Sequence, residues 1–211
     1  MIVLINPNST PSMTEAMLMT AKETAPSVHF VGWTSDEGPP AIQGRADGEA
    51  AAGPLLKLVA KASAMNAKAI IIGCFDDTAL AEAQAAATCP VIGIGQAAYH
   101  MAALVGRRFS VVTTLEVSTP ILEENIEAYG LSHHLAKVRA SDVPVLDLEH
   151  DPEAAVEKVV QEILAAERED DVGSIVLGCG GMVRVATSAA ERSKVRLIDG
   201  VRSAAHVASS L

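Results

Sequence analysis

Aromatic residues are scarce in this chain of 211 residues: one Trp, two Tyr and three Phe make up 3% of it. So few rings leave little on which nucleobases could stack. Basic residues are also in deficit, 16 Lys+Arg against 26 Asp+Glu, for a formal net charge of −10. That balance repels phosphate backbones, so no nucleic-acid partner is expected. No apolar run approaches the roughly 18 residues that would span a bilayer, so no membrane partner is expected either. The start, Met1-Ile2-Val3-Leu4-Ile5, reads as a strand and lacks the basic-then-apolar order of a signal peptide. Three cysteines, an odd number in such a chain, read as reduced thiols of a cytoplasmic protein. Gly93-Ile94-Gly95 lacks the third glycine and the acidic residue of a dinucleotide site, and no Gly-Lys-Ser/Thr phosphate loop occurs. The six histidines show no ligand spacing, and there is no Cys-x-x-Cys pair. Neither a metal nor a cofactor is expected.

What is abundant is alanine, 36 residues, within a composition that is 49% hydrophobic and 20% charged. Short β-branched runs alternate with alanine-rich helical stretches, the pattern of parallel sheets covered by helices. The runs predict strands at Ile2–Asn6, His29–Trp33, Ala69–Gly73, Val91–Ile94, Phe109–Thr113, Leu135–Arg139, Ser174–Gly178 and Arg196–Asp199. Ala69-Ile70-Ile71-Ile72 and Ser174-Ile175-Val176-Leu177 are continuously apolar, as strands buried on both faces are. Thr10-Pro11, Thr119-Pro120 and Asp151-Pro152 each place a capping side chain before a proline suited to the first helical position. Gly130 suits the end of the helix begun at Pro120, and Pro54 should kink or begin the stretch Ala46–Met65.

The chain repeats itself. Gly73-Cys74 and Gly178-Cys179 lie 105 positions apart, and the same offset carries Ile94-Gly95 onto Asp199-Gly200. Ser9-Thr10-Pro11 follows the first strand of one half and Ser118-Thr119-Pro120 that of the other. Such an order argues for two similar α/β lobes of flavodoxin-like type, each a mainly parallel sheet flanked by helices, with a cleft between them. The first lobe should hold residues 1–97 and 200–211, the second 98–199.

In open parallel sheets ligands bind beyond the carboxyl ends of the strands, and both Cys74 and Cys179 follow buried strands there. An isolated cysteine is more often a small buried hydrophobe, which is the reading kept for Cys89. The duplicated strand-end position makes Cys74 and Cys179 candidate catalytic thiols. Each precedes a helix, whose free N–H groups should lower the thiol pKa toward neutrality. Asn6-Pro7-Asn8-Ser9-Thr10 is either turn chemistry or a polar cradle for a carbonyl or amide ligand, with Asn8 and Ser9 as donors. Thr113-Thr114 occupies the equivalent place in the second half. Phe75 and Asp76 beside one cysteine, and Gly180 and Gly181 beside the other, join the candidate substrate contacts. Asp76 and Asp77 read more readily as caps of the following helix than as catalytic acids. The loop Gly38–Gly44 brings Ile42 and Gln43 as a pocket wall.

These residues resemble the hydantoin racemase branch of the aspartate/glutamate racemase superfamily over the whole chain. The paired Gly-Cys motifs mark the superfamily; Asn6-Pro7-Asn8-Ser9 and Phe75-Asp76-Asp77 are similar to the hydantoin and allantoin branch. The Asp-Ser-Gly, Cys-Asn-Thr and Cys-Thr-His motifs usual in glutamate racemases are absent. The resemblance implies two pseudosymmetric lobes, a cofactor-independent site between them, and one cysteine on each face of the substrate's stereocentre. One thiolate would take the proton beside a carbonyl while the opposing thiol donates to the other face. Helix-start N–H groups, with Asn8, Ser9 and Thr114, would steady the enolate oxygen. It also implies a small-molecule substrate and a homo-oligomer. An amino-acid racemase or maleate-type isomerase would need cations in the pocket, for which Arg45 and Arg184 stand nearest. A non-catalytic ligand sensor is the alternative of another class.

Overall fold

The structure, a computed structural model, describes residues 1–211, the side chain of Arg184 excepted. Eight strands form: β1 (Ile2–Asn6), β2 (Phe30–Thr34), β3 (Ala69–Ile72), β4 (Val91–Gly93), β5 (Phe109–Thr113), β6 (Leu135–Ala140), β7 (Ser174–Gly178) and β8 (Arg196–Asp199). They make two four-stranded sheets ordered β2-β1-β3-β4 and β6-β5-β7-β8, parallel throughout. The second order is the first shifted by four strands, so the sequence repeat is a repeat of topology. In each sheet the chain winds outward on one side and then on the other. The central pairs β1/β3 and β5/β7 are therefore the switch points where a crevice opens at the strand ends. All four central strands are buried along their whole length, and each Ile or Leu so buried contributes roughly 1.5–3 kcal/mol.

Nine α-helices connect them: α1 (Pro11–Thr24), α2 (Arg45–Ala64), α3 (Leu80–Ala86), α4 (Ile94–Leu104), α5 (Thr119–Ala128), α6 (Asp147–His150), α7 (Pro152–Glu169), α8 (Val183–Ala190) and α9 (Gly200–Ser209). Helices α4 and α9 leave their strands without a loop and pack on each other between the sheets, α4 reaching β7 and β8 and α9 reaching β3 and β4. Ala97, Ala98, Ala102, Ala204, Ala205 and Ala208 are buried there, and their small side chains let the two helices approach. One apolar core thus runs from Leu4 and Ile71 of the first sheet to Val111 and Val176 of the second. The scarce aromatics gather at this junction. Tyr99 meets Phe75 edge-on at 5.3 Å, stacks on Phe109 at 6.2 Å and tilts against Tyr129. Among the described residues no helix is long and apolar enough to cross a membrane.

Several local expectations need correction. Ile94 opens α4 and does not end β4, because the helix starts directly at the strand end. Helix α2 runs unbroken through Pro54. The carbonyl that Pro54 cannot bond belongs to Ala50, on the exposed face, where solvent can take it. None of the three residues before proline caps its helix through its side chain. The Thr10 hydroxyl donates instead to Pro40 O at 2.7 Å, tying the start of α1 to the neighbouring loop. Thr119 lies inside α5, whose cap position is Ser118, and Asp151 is shared as the C-cap of α6 and the N-cap of α7. Gly130 does what its position suggested. At φ 74° it ends α5, its N–H bonding Glu127 O while Leu131 N bonds Ile126 O, the paired bonds of a Schellman motif.

Candidate active site

Four strand ends converge on one cleft. After β1, the buried Asn6 builds the first wall. Its Nδ2 donates to Asn8 Oδ1 at 2.8 Å and to Thr14 Oγ1 at 3.0 Å, and its Oδ1 accepts from Asn8 N at 3.2 Å. Asn8 Oδ1 also accepts from Thr10 N at 3.0 Å, so the Asn8 carbonyl is occupied. Its Nδ2, 3.5 Å from Met13 Sδ, remains as the donor group at the cleft wall.

Cys74 follows β3 and Cys179 follows β7, and both line the cleft. Thr78 Oγ1 donates to Cys74 Sγ at 3.3 Å. Cys179 is the N-cap of the single turn Gly180–Met182, its Sγ accepting from Gly181 N at 3.4 Å. These donors favour thiolates, as the helix-start reading anticipated, but they do not prevail. Burial pushes the Cys74 thiol up, the Asp76 carboxylate adds to that, and the Thr78 hydroxyl and Asp76 N–H only oppose it. Burial likewise pushes Cys179 up to about 12 against the Gly181 and Met182 N–H groups. The expectation of thiols lowered toward neutrality is therefore overturned: loss of water outweighs two or three weak hydrogen bonds.

Asp76 and Asp77 do not cap α3, whose N-cap is Ala79. Asp77 Oδ1 accepts from Gly95 N at 3.1 Å, so it caps α4, and Oδ2 accepts from Tyr129 OH at 2.8 Å. Asp76 lines the cleft, and its buried Oδ2 has no hydrogen-bond partner among the described residues. Burial pushes its carboxyl up to about 7.

The remaining candidates divide. Phe75, Ile42, Thr113, Thr114, Gly180 and Gly181 also line the cleft. The Thr113 hydroxyl is used internally, donating to Gly178 O at 3.0 Å across β5 and β7. Ser9 and Gln43 are not among the lining residues. The Ser9 N–H is held by Pro39 O at 2.9 Å, which turns that residue to the loop. Gln43 acts at one remove, its Oε1 accepting from Val145 N at 2.8 Å and so fixing a lining residue of the other half. Sequence reasoning missed Met13, Met17, Ser118 and Val145. Ser118 carried a signal, since it repeats Ser9. Met13 and Met17 share one face of α1, and Met17 enters between the two Gly-Cys motifs: a Cβ at Gly73 would lie 2.9 Å from its Cε, one at Gly180 3.0 Å from its Sδ. Of the cations, Arg45 is exposed and bound to Glu124 at 2.8 Å, and the Arg184 side chain lies outside the described residues. No Lys or Arg lines the cleft among the described residues.

Comparison with known proteins gives the same direction. The family model described as Asp/Glu/Hydantoin racemase matches residues 2–208. A hydantoin racemase of Rhizobium meliloti is 41% identical over 211 residues, covering 100% of this chain and 88% of that protein. Among solved structures, allantoin racemase from Klebsiella pneumoniae has 37% identity and TM-score 0.95, covering 100% of this chain and 86% of that one. Allantoin racemase from Pseudomonas fluorescens has 34% identity and TM-score 0.94, with 100% and 89% covered.

Proposed function

The chain belongs to the Asp/Glu/hydantoin racemase family, and from that membership we propose that it racemises 5-substituted hydantoins, allantoin included, by passing the C5 proton between Cys74 and Cys179. The observation that carries this reading is the pair of thiols, one from each sheet's switch point, in one cleft lined by no described cation. An acidic amino acid or maleate would leave its carboxylates unpaired there.

The C5 hydrogen of a hydantoin lies beside a carbonyl in a neutral ring. A thiolate on one face takes that proton, and the C–H electron pair moves onto the carbonyl oxygen as an enolate. The opposing thiol then gives its proton to the other face of C5, and the two sulfurs have exchanged roles. Asn8 Nδ2 and Thr114 Oγ1 donate to the enolate oxygen, where charge develops in the transition state. Ionised Asp76 takes the proton of one thiol and so makes that thiolate. The active cleft carries one negative charge shared among Cys74, Cys179 and Asp76, which titrate together. Residues 1–97 with 200–211 and 98–199 serve as the two lobes, α9 returning to pack on β3 and β4.

Polarimetry with single enantiomers of 5-substituted hydantoins and allantoin, beside aspartate, glutamate and maleate, tests the substrate class. Cys74→Ala and Cys179→Ala should each abolish racemisation while still exchanging the C5 proton of one enantiomer in heavy water. If both single variants racemise hydantoins at the normal rate, the two-thiol mechanism is wrong.

A further inference from the structure

We propose that Asn125, on α5, is a positioning residue for the Cys74 face of the site. The proposal rests on the two-thiol reaction above. Positions 125 and 129 are one helical turn apart and so face the same way. Both reach across to the segment after Cys74: Asn125 Nδ2 donates to Asp76 O at 2.8 Å, and Tyr129 OH donates to Asp77 Oδ2 at 2.8 Å. Among the described residues nothing else bonds the Asp76 carbonyl.

That bond bears on chemistry because of what surrounds residue 76. Its N–H faces Cys74 Sγ. Its carboxyl lines the cleft with Oδ2 buried and unpartnered, so no described side chain holds that oxygen in place. The direction of the carboxyl is then set by the backbone at residue 76, and Asn125 is the side chain that holds this backbone. The next residues need holding, since Asp77 and Ala79 adopt φ 49° and 50°, left-handed values that side-chain-bearing residues keep only when neighbours enforce them. The other thiol feels the Asp76 carboxyl only as a nearby charge. Cys179 Sγ is held by Gly181 N within its own turn. Asn125 therefore acts more strongly on the Cys74 face, and that asymmetry separates positioning from general support of the fold.

The test is Asn125→Asp, which keeps the side-chain size and removes the donor at neutral pH. The turnover number should fall about 10- to 100-fold, the scale of a small misplacement of a reacting group, with KM little changed. The enantiomer served by Cys74 is the one whose C5 proton Cys179→Ala still exchanges in heavy water. From that enantiomer alone, the C5-deuterium isotope effect on turnover should rise, because abstraction by Cys74 becomes more fully rate-limiting. Iodoacetamide labelling, read peptide by peptide, should shift at Cys74 by about threefold or more and by less at Cys179. If Asn125→Asp does not fold, Asn125→Ala is read in the same two ways. Normal turnover and labelling overturn the proposal. So does an equal change at both thiols or from both enantiomers, which is what simple loosening produces. Should the wild-type protein racemise no hydantoin, the proposed function fails, and the labelling contrast between the two cysteines still decides the role of Asn125.

Discussion

Asp76→Asn exchanges a carboxyl for an amide of nearly equal size at the wall of the cleft. Burial raises the Asp76 pKa from 3.8 to about 7. An acid whose pKa is raised by folding binds an extra proton in the folded state between those two values, so stability falls as pH climbs through that window. At ~1.4 kcal/mol per unit, the penalty is about 1.5 kcal/mol at pH 5 and about 4 kcal/mol at pH 8, where the folded carboxyl is ionised too. The amide carries no such penalty. Its advantage over wild type should therefore widen by about 2.5 kcal/mol between pH 5 and pH 8, or about 5–10 °C in Tm for a chain of this length. Asp77, also raised to about 7 chiefly by burial, is raised a little further by the Asp76 charge, so losing that charge adds to the divergence in the same direction. Urea unfolding of the two proteins at pH 5, 6, 7 and 8 measures the divergence directly. The same variant should lose turnover, because the thiols lose the carboxylate that takes their proton. A stability difference that is flat across this range, or an amide variant weaker than wild type at pH 8, would refute the reasoning.

Other outcomes follow from the same geometry. Thr78→Val removes the hydroxyl on Cys74 Sγ while keeping the side-chain shape; a lost bond of about 1 kcal/mol should slow turnover about fivefold in a steady-state assay. Gln43→Ala frees Val145 N, which should raise KM for hydantoins in the same assay and lower stability by about 1 kcal/mol in urea. With a singly charged cleft as the active form, kcat/KM should rise with pH through about 7 as Asp76 loses its proton. Asp76→Asn should erase that limb from the pH–rate profile. Tyr129→Phe removes the hydroxyl bonded to Asp77 and should lower Tm by a few degrees.

Much of the architecture can be read directly from residue order. Runs such as Ile70-Ile71-Ile72 and Ile175-Val176-Leu177 bury on both faces, so their apolar continuity marks central strands without reference to any neighbour. The Gly-Cys repeat carries the twofold plan, because equal spacing in a duplicated topology places equivalent residues at equivalent strand ends. Cap chemistry was less legible. Thr10 and Asp77 have the right side chains for their own helices, yet one bonds a loop and the other caps α4, because these partners come from distant segments. The thiols show the same limit. A helix-start position is visible in sequence and argues for a low pKa, whereas the burial that overrides it exists only after the two halves close on each other.

The sequence by itself determined the two parallel sheets, the duplicated thiols and the absence of cationic residues from the strand-end motifs. These follow from local hydrophobic pattern and spacing. Tertiary structure alone decided that Asp76 would stand unpartnered in the cleft that holds both thiols, that Met17 would enter between the Gly-Cys turns, and that α5 of the second half would hold the Cys74 segment. Each joins residues distant in the chain. Their chemistry depends on which solvent and which neighbours packing removes or supplies, and no local pattern encodes that.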